Sequence, residues 1–234
     1  MKKAVFFDLY GTLAGFNPSR FQIQSEACQQ FDLGLTESGI LKGYAAADQL
    51  MAEQNKINPL RLMSDTEKLE FFSKYEQKIL LGCEIEIDVI TAAKIWRTIG
   101  KIPYDMKIYD DVVPCLDMLK SYGLTVGLIS NMNLSGLDLI KKFQLSTLVD
   151  FAVTSAEVGL EKPHKGIFEE ALRRAEVDSR QAAHVGDQIE SDVRGAENAG
   201  VQPILLDRDG NHSGYKGCPK IETMEALEDV LSSF

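Results

Sequence analysis

The stretch "VFFDLYGTLAGF" (Val5–Phe16) decides how the rest of the chain is read. An apolar run, β-rich at Val5-Phe6-Phe7, ends in Asp8, passes through Tyr10 and turns on Gly11-Thr12. A short continuous apolar run of this kind is expected of a strand buried on both faces. A carboxylate at the end of such a strand is costly unless something uses it. The strand also needs partners, because a lone apolar strand cannot stay in water.

Those partners lie far along the chain. From about residue 105, helical and strand patterns alternate. A helix within Asp110–Gly123 precedes the apolar run Leu124–Asn131, then come helix 134–142 and a short strand near Phe151–Val153. Helix 166–175, strand 182–185, helix 189–199, strand 201–206 and helix 222–232 follow. Alternation of this type implies a parallel sheet with helices on both faces. The intervening segment is different. Residues 19–31, 36–54, 65–82 and 86–98 carry apolar positions at helical spacing, separated by breaks such as Asp32–Gly34 and Asn55–Pro59. Ser64 before Asp65-Thr66-Glu67 is a helix N-cap with an acidic first turn. The expected organisation is an α/β core from residues 1–14 and 108–234, with a helical domain at 15–107 inserted after the first strand. Ligands of such sheets bind at the carboxyl ends of the strands. Asp8, Ser130 and Asp187 each stand just past an expected strand and so share one rim, from which the helical insertion also emerges.

Composition narrows the partners. Of 234 residues, 44% are hydrophobic, ordinary for a globular chain. Asp and Glu outnumber Lys and Arg by 35 to 25, for a formal net charge of −10. That balance, with no basic run, argues against nucleic acid. It would also repel an anionic substrate unless the site supplies its own positive charge. Cys28, Cys83, Cys115 and Cys218 are scattered without a C-x-x-C pair, as expected of reduced thiols in a cytoplasmic protein. No stretch approaches transmembrane length, and "MKKAVFF" is too short for an apolar leader. The expected partner is a small molecule, with neither membrane nor nucleic acid, and the chain itself a monomer or homodimer.

Four stretches carry the chemistry: "DLYGTL" (Asp8–Leu13), "ISN" (Ile129–Asn131), "EKPHKGIFEEAL" (Glu161–Leu172) and "HVGDQIESDVRGAENAG" (His184–Gly200). A carboxylate with a reference pKa of ~3.9 is ionised at neutral pH, so Asp8 can attack an electrophile without a base. Asp187 and Asp192 are five residues apart, which on one helix leaves them ~140° apart around the axis. They converge only if Asp187 lies on the loop after a strand and Asp192 on the helix below it. His184 is expected to be a core or edge histidine.

Taken together and in this order, the four stretches resemble the haloacid dehalogenase superfamily, in the branch with a helical cap inserted after the first strand. The resemblance implies a Rossmann-like core, with Asp8 as nucleophile and Thr12 helping to orient it. It also implies that Ser130 and Asn131 bind the transferring group, that Lys162 offsets negative charge, and that Mg²⁺ is held by Asp8, Asp187 and the carbonyl of Tyr10. Asp192 would support the metal from its outer shell.

Tyr10 departs from the common phosphatase pattern, in which an Asp two residues after the nucleophile protonates the leaving group. The haloacid dehalogenases themselves carry Tyr there, since halide leaves without a proton. Against them stand the Gly-Asp of "VGDQIESD" and the lack of any Arg in residues 21–60, where Lys42 is the nearest substitute for their halide-receiving arginine. The expectation is a Mg²⁺-dependent phosphatase acting on a small phosphomonoester through an aspartyl-phosphate. A 2-haloacid dehalogenase working through an aspartyl ester is the alternative. A degenerate, non-catalytic binding protein ranks third, because Asp8, Ser130, Lys162 and Asp187 are all present.

Overall fold

Ala4–Phe7 has no wet face, every residue being buried, and it lies inside a sheet with strands on both sides. In the computed structural model, which describes residues 2–234 apart from the side chains of Lys56 and Arg61, this is strand β1. The chain continues through β2 (Ala14–Asn17), α1 (Arg20–Gln29), α2 (Glu37–Ile57), α3 (Asp65–Leu81), α4 (Val89–Ile99) and β3 (Asp105–Ile108). Then follow α5 (Val112–Ser121), β4 (Thr125–Ser130), α6 (Gly136–Lys142), β5 (Phe151–Thr154), α7 (Ser155–Val158) and α8 (Lys165–Ala175). The last elements are β6 (Ala182–Gly186), α9 (Arg194–Asn198), β7 (Gln202–Leu206), β8 (Lys220–Ile221) and α10 (Leu227–Leu231).

Two compact units result: residues up to Gly15 together with Lys107–Phe234, and Phe16–Met106. The first is α/β, with six parallel strands in the order β5-β4-β1-β6-β7-β8. Phe7 faces Leu128 of β4 on one side and Val185 of β6 on the other, so β1, β4 and β6 end together. Phe6, Ile129, Val153, Ile167, Phe168 and Ala196 build one shared core across the sheet and its covering helices.

The second unit is helical, and its helix starts are explicitly capped. Ser19 and Ser64 form reciprocal capping boxes with Gln22 and Glu67, and Asp88 accepts from the N–H groups of Ile90 and Thr91. Each cap satisfies orphan donors and contributes ~1 kcal/mol. Trp96 stacks on Phe72 at 4.3 Å and lies against both apolar clusters of this unit.

The structure differs from the sequence expectation at several points. The break expected at Asn55–Pro59 comes later, because α2 runs to Ile57 and stops where Pro59 removes Asn58 from helical backbone. The single helix expected over 189–199 begins as a π-helical turn, Ile189–Val193, before α9. That wide turn carries Asp192, whose carboxylate is tied back to the Gln188 N–H. The expected helix 222–232 is a 3₁₀ turn at Met224–Ala226 followed by α10, with edge strand β8 ahead of it. Ser130 is the last residue of β4 rather than the first beyond it. The two-stranded sheet β2-β3 was not expected, since these four-residue strands are partly exposed and present no apolar run. Among the described residues no helix is long and apolar enough to cross a membrane, and the four cysteines are free.

Candidate active site

The site is assembled at the shared ends of β1, β4 and β6. Asp8 leaves β1, its N–H donating to the Val185 carbonyl at 2.9 Å, which extends the sheet by one residue. Leu9 then accepts from the N–H groups of Thr12, Leu13 and Ala14, closing a tight turn. Gly11 occupies the left-handed region at φ +85°, and a Cβ there would stand 2.4 Å from Asp187 Oδ2. Only glycine combines this backbone with so close an approach. Thr12, fully buried, points its hydroxyl at Asp187 Oδ1 across 3.4 Å.

Lys162 is the centre of charge. Its Nζ donates to Asp8 Oδ1 at 2.5 Å and to Asp192 Oδ1 at 2.6 Å, and all three side chains are buried. Burial works to lower the lysine, but the two carboxylates outweigh it and hold the ammonium above its usual value. Burial raises Asp8 above the ordinary carboxylate range; Lys162 pulls against that shift and the charge of Asp192 adds to it. Burial would raise Asp192 as well, but Lys162 and His184 hold it below the usual range. The lysine thus opposes the effect of burial on both acids, prevailing at Asp192 but not at Asp8.

Asn131 fixes the lysine's main chain. Its Oδ1 accepts the Lys162 N–H at 2.7 Å and its Nδ2 donates to the Lys162 carbonyl at 3.1 Å. Ser130, also buried, ends the strand beside β1. Tyr10 is half-buried within the turn, bridged through its backbone to Ala14.

Asp8, Asp187 and Asp192 each present a carboxylate oxygen within 4.8 Å of the others. An all-oxygen, anionic donor set of this kind fits a hard cation such as Mg²⁺. Asp192 Oδ1 is engaged by Lys162 and His184, and its Oδ2 by the Gln188 N–H, while Asp187 is only half-buried. Asp8 and Asp187 are therefore the better placed direct ligands, with Asp192 behind them. Gly186 makes this packing possible, because a Cβ there would lie 2.2 Å from Asp192 Cγ.

Two residues of the site escape sequence reasoning. His184 is a core residue of β6, but its Nε2 also lies 3.0 Å from Asp192 Oδ1, and Phe168 packs edge-on against its ring at 5.0 Å. Burial lowers its pKa, so the neutral imidazole donates from Nε2. Its place immediately before "VGD" was the available signal. The second is Arg208, after β7, whose Nε and Nη2 reach the Thr12 carbonyl at 3.3 and 3.0 Å.

Comparisons with known proteins agree on a family. The family described as haloacid dehalogenase-like hydrolase matches residues 2–200. A glyceraldehyde 3-phosphate phosphatase of Methanothermobacter thermautotrophicus is 30% identical over 242 residues, spanning 99% of this chain and 100% of the relative. Its namesake from Methanopyrus kandleri is 32% identical over 129 residues, and the chain spans about half of that relative, 55% of each being covered. Among solved structures, a 2-haloacid dehalogenase from Pseudomonas syringae pv. Tomato superposes with a TM-score of 0.57 at 25% identity, over 100% of this chain and 99% of that one.

Proposed function

The chain belongs to the haloacid dehalogenase-like hydrolases, and from that premise we propose that it is a Mg²⁺-dependent phosphatase of small phosphomonoesters. The observation that carries the reading is the convergence of Asp8, Asp187 and Asp192 around a buried lysine. A dehalogenase has no use for a third carboxylate and a cation site beside its nucleophile. A phosphatase does, because a phosphate dianion must approach several acids.

In this reading an Asp8 oxygen attacks phosphorus and the ester oxygen leaves as an alkoxide that takes a proton from water. This gives an aspartyl-phosphate, an alcohol and hydroxide, which the proton released in the hydrolytic step neutralises. Water then attacks phosphorus, releasing inorganic phosphate and restoring the carboxylate. Ser130 and main-chain N–H groups at the end of β4 hold the phosphoryl oxygens. Lys162, steered by Asn131 and Asp192, offsets charge on nucleophile and phosphate. Asp8, Asp187 and the Tyr10 carbonyl would hold the divalent cation, which supplies Lewis-acid charge neutralisation when bound. The helical unit Phe16–Met106 stands in chain order where this branch of the family inserts its cap. Glyceraldehyde 3-phosphate, named for two relatives, is the first compound to assay.

A parallel screen of phosphomonoesters and 2-haloacids, each with and without Mg²⁺, tests the proposal. Phosphate release that requires Mg²⁺ is expected; halide release in chelator would overturn it.

Tyr10 and the solved dehalogenase support the second reading, carbon–halogen cleavage through an aspartyl ester. Tyr10→Asp separates the two. In a phosphatase the new acid should protonate a poor alkoxide leaving group, and a positioned general acid is worth ~10²–10⁴-fold. Alkyl phosphate turnover should rise, with activated aryl phosphates gaining far less. In a dehalogenase the added anion beside the substrate carboxylate should suppress haloacid turnover.

A further inference from the structure

We propose that Arg208 is a positioning residue, clasping the outgoing and returning chain on the α/β unit and thereby fixing the turn against which Asp187 is set. Its guanidinium makes a bidentate pair with Asp111, Nη1 to Oδ2 at 2.8 Å and Nη2 to Oδ1 at 2.9 Å. Its Nε and Nη2 also donate to the Thr12 carbonyl. The guanidinium plane lies over the Tyr109 ring at 4.3 Å from the centroid. Thr12 belongs to the chain running out toward the helical insertion, whereas Tyr109 and Asp111 follow the return.

Each partner is itself tied down. The Tyr109 N–H donates to the Leu13 carbonyl at 3.0 Å, and Asp111 Oδ2 accepts the Met224 N–H at 3.0 Å. The arginine therefore joins Asp111, the residue before α5, and the 224–226 turn tied to it, to the turn that carries Gly11 and Thr12. Both of these residues bear on Asp187, Gly11 by close packing and Thr12 through its hydroxyl. The planar fork matters: it pairs bidentately with the carboxylate while also donating to the carbonyl and stacking on the ring, a geometry a lysine ammonium does not reproduce. The arrangement bears on the cation site through Asp187, so its effect should appear first in the cation.

This inference rests on the reading of Asp8 and Asp187 as a divalent-cation site. Its test is calorimetric titration of the full chain with Mg²⁺ alone, beside hydrogen exchange of residues 9–14 in metal-free protein. Arg208→Met should weaken Mg²⁺ binding by about 10-fold or more, the range seen for groups that orient metal ligands, and should speed exchange of the turn amides. Arg208→Lys should recover part of both. Lys220→Met, which removes the neighbouring pair with Asp207, serves as a control and should leave the Mg²⁺ affinity unchanged. Unchanged affinity in Arg208→Met, or an equal loss in Lys220→Met, would overturn the proposal. If Arg208→Met does not fold, Arg208→Lys decides: weaker binding is expected, and wild-type affinity overturns. Absence of Mg²⁺ binding by the wild-type protein would instead overturn the cation site itself, and this inference with it.

Discussion

Each unit of this protein buries acids completely enough to disturb them, and the two units compensate them differently. In the α/β unit, Asp8 and Asp192 share one lysine and the cluster remains ionic. In the helical unit, Glu76 of α3 is buried against an amide, with Gln24 Nε2 donating to its Oε1 and the Tyr44 hydroxyl reaching Gln24 at 3.4 Å. Without a cation as partner, burial pushes the Glu76 carboxyl up to about 8. A buried charge survives where an opposite charge is built in beside it; otherwise the group takes a proton. The first arrangement suits chemistry on an anion, whereas the second keeps a proton on its acid at neutral pH.

The largest test of this contrast is to remove the cation. Lys162→Met keeps the stem but leaves Asp8 and Asp192 side by side. Breaking a buried pair from one side costs about 3–5 kcal/mol, so urea unfolding at neutral pH should show a loss of that order. The loss should shrink in acid, where one of the two carboxyls takes up a proton. Equal stability of the variant and wild type at neutral pH would mean that the lysine is not compensating these acids.

A smaller effect is expected in the helical unit. The folded value of Glu76 lies above its ordinary 4.5, so between 4.5 and about 8 the folded protein holds a proton that the unfolded chain has released. Stability should therefore fall as pH rises through this window and level off above it. Neighbouring Cys28, pushed up to about 12, and Tyr44, pushed higher still, do not titrate there. Glu76→Gln should make the profile shallower while leaving the packing in place, the slope that remains below about 6 belonging to Asp8, which burial also raises. Trp96, the single tryptophan, sits within this unit, so its fluorescence reports the unfolding directly. A profile as steep in Glu76→Gln as in wild type would assign the dependence to another group.

The same contrast explains what can be read from the sequence. Asp8, Ser130 and Asp187 are visible because each ends an apolar strand run and is followed by turn or helix signals. Lys162 and Asp192 become visible only through the family resemblance, since Lys162 alone reads as a solvated surface lysine and Asp192 converges with Asp187 only if a loop separates them. Glu76 is hidden: it lies between Lys74 and Lys78 on an amphipathic helix, where a glutamate reads as solvated. His184 looks like any polar residue in a buried strand, because its bond to Asp192 depends on the π-helical turn that brings that acid back. Arg208 stands in the charged loop "DRDG" (Asp207–Gly210), and its partners Asp111 and Thr12 are about a hundred residues or more away. Long-range pairings of this kind leave no local pattern, and neither do the partly exposed strands β2 and β3.

Oxygen-18 tracing tests the central claim, that water attacks phosphorus and not the carbonyl carbon of an Asp8 ester, most directly. A single turnover of an activated aryl phosphate, and separately of a 2-haloacid, is run with excess enzyme in oxygen-18 water, followed by mass spectrometry of the Asp8 peptide. Water attack at phosphorus should place the label in inorganic phosphate and leave the Asp8 peptide at its natural mass. Water attack at the carbonyl carbon of an aspartyl ester would instead place oxygen-18 in the Asp8 carboxylate. A labelled Asp8 peptide after haloacid turnover, with no labelled phosphate from the ester, would contradict the account.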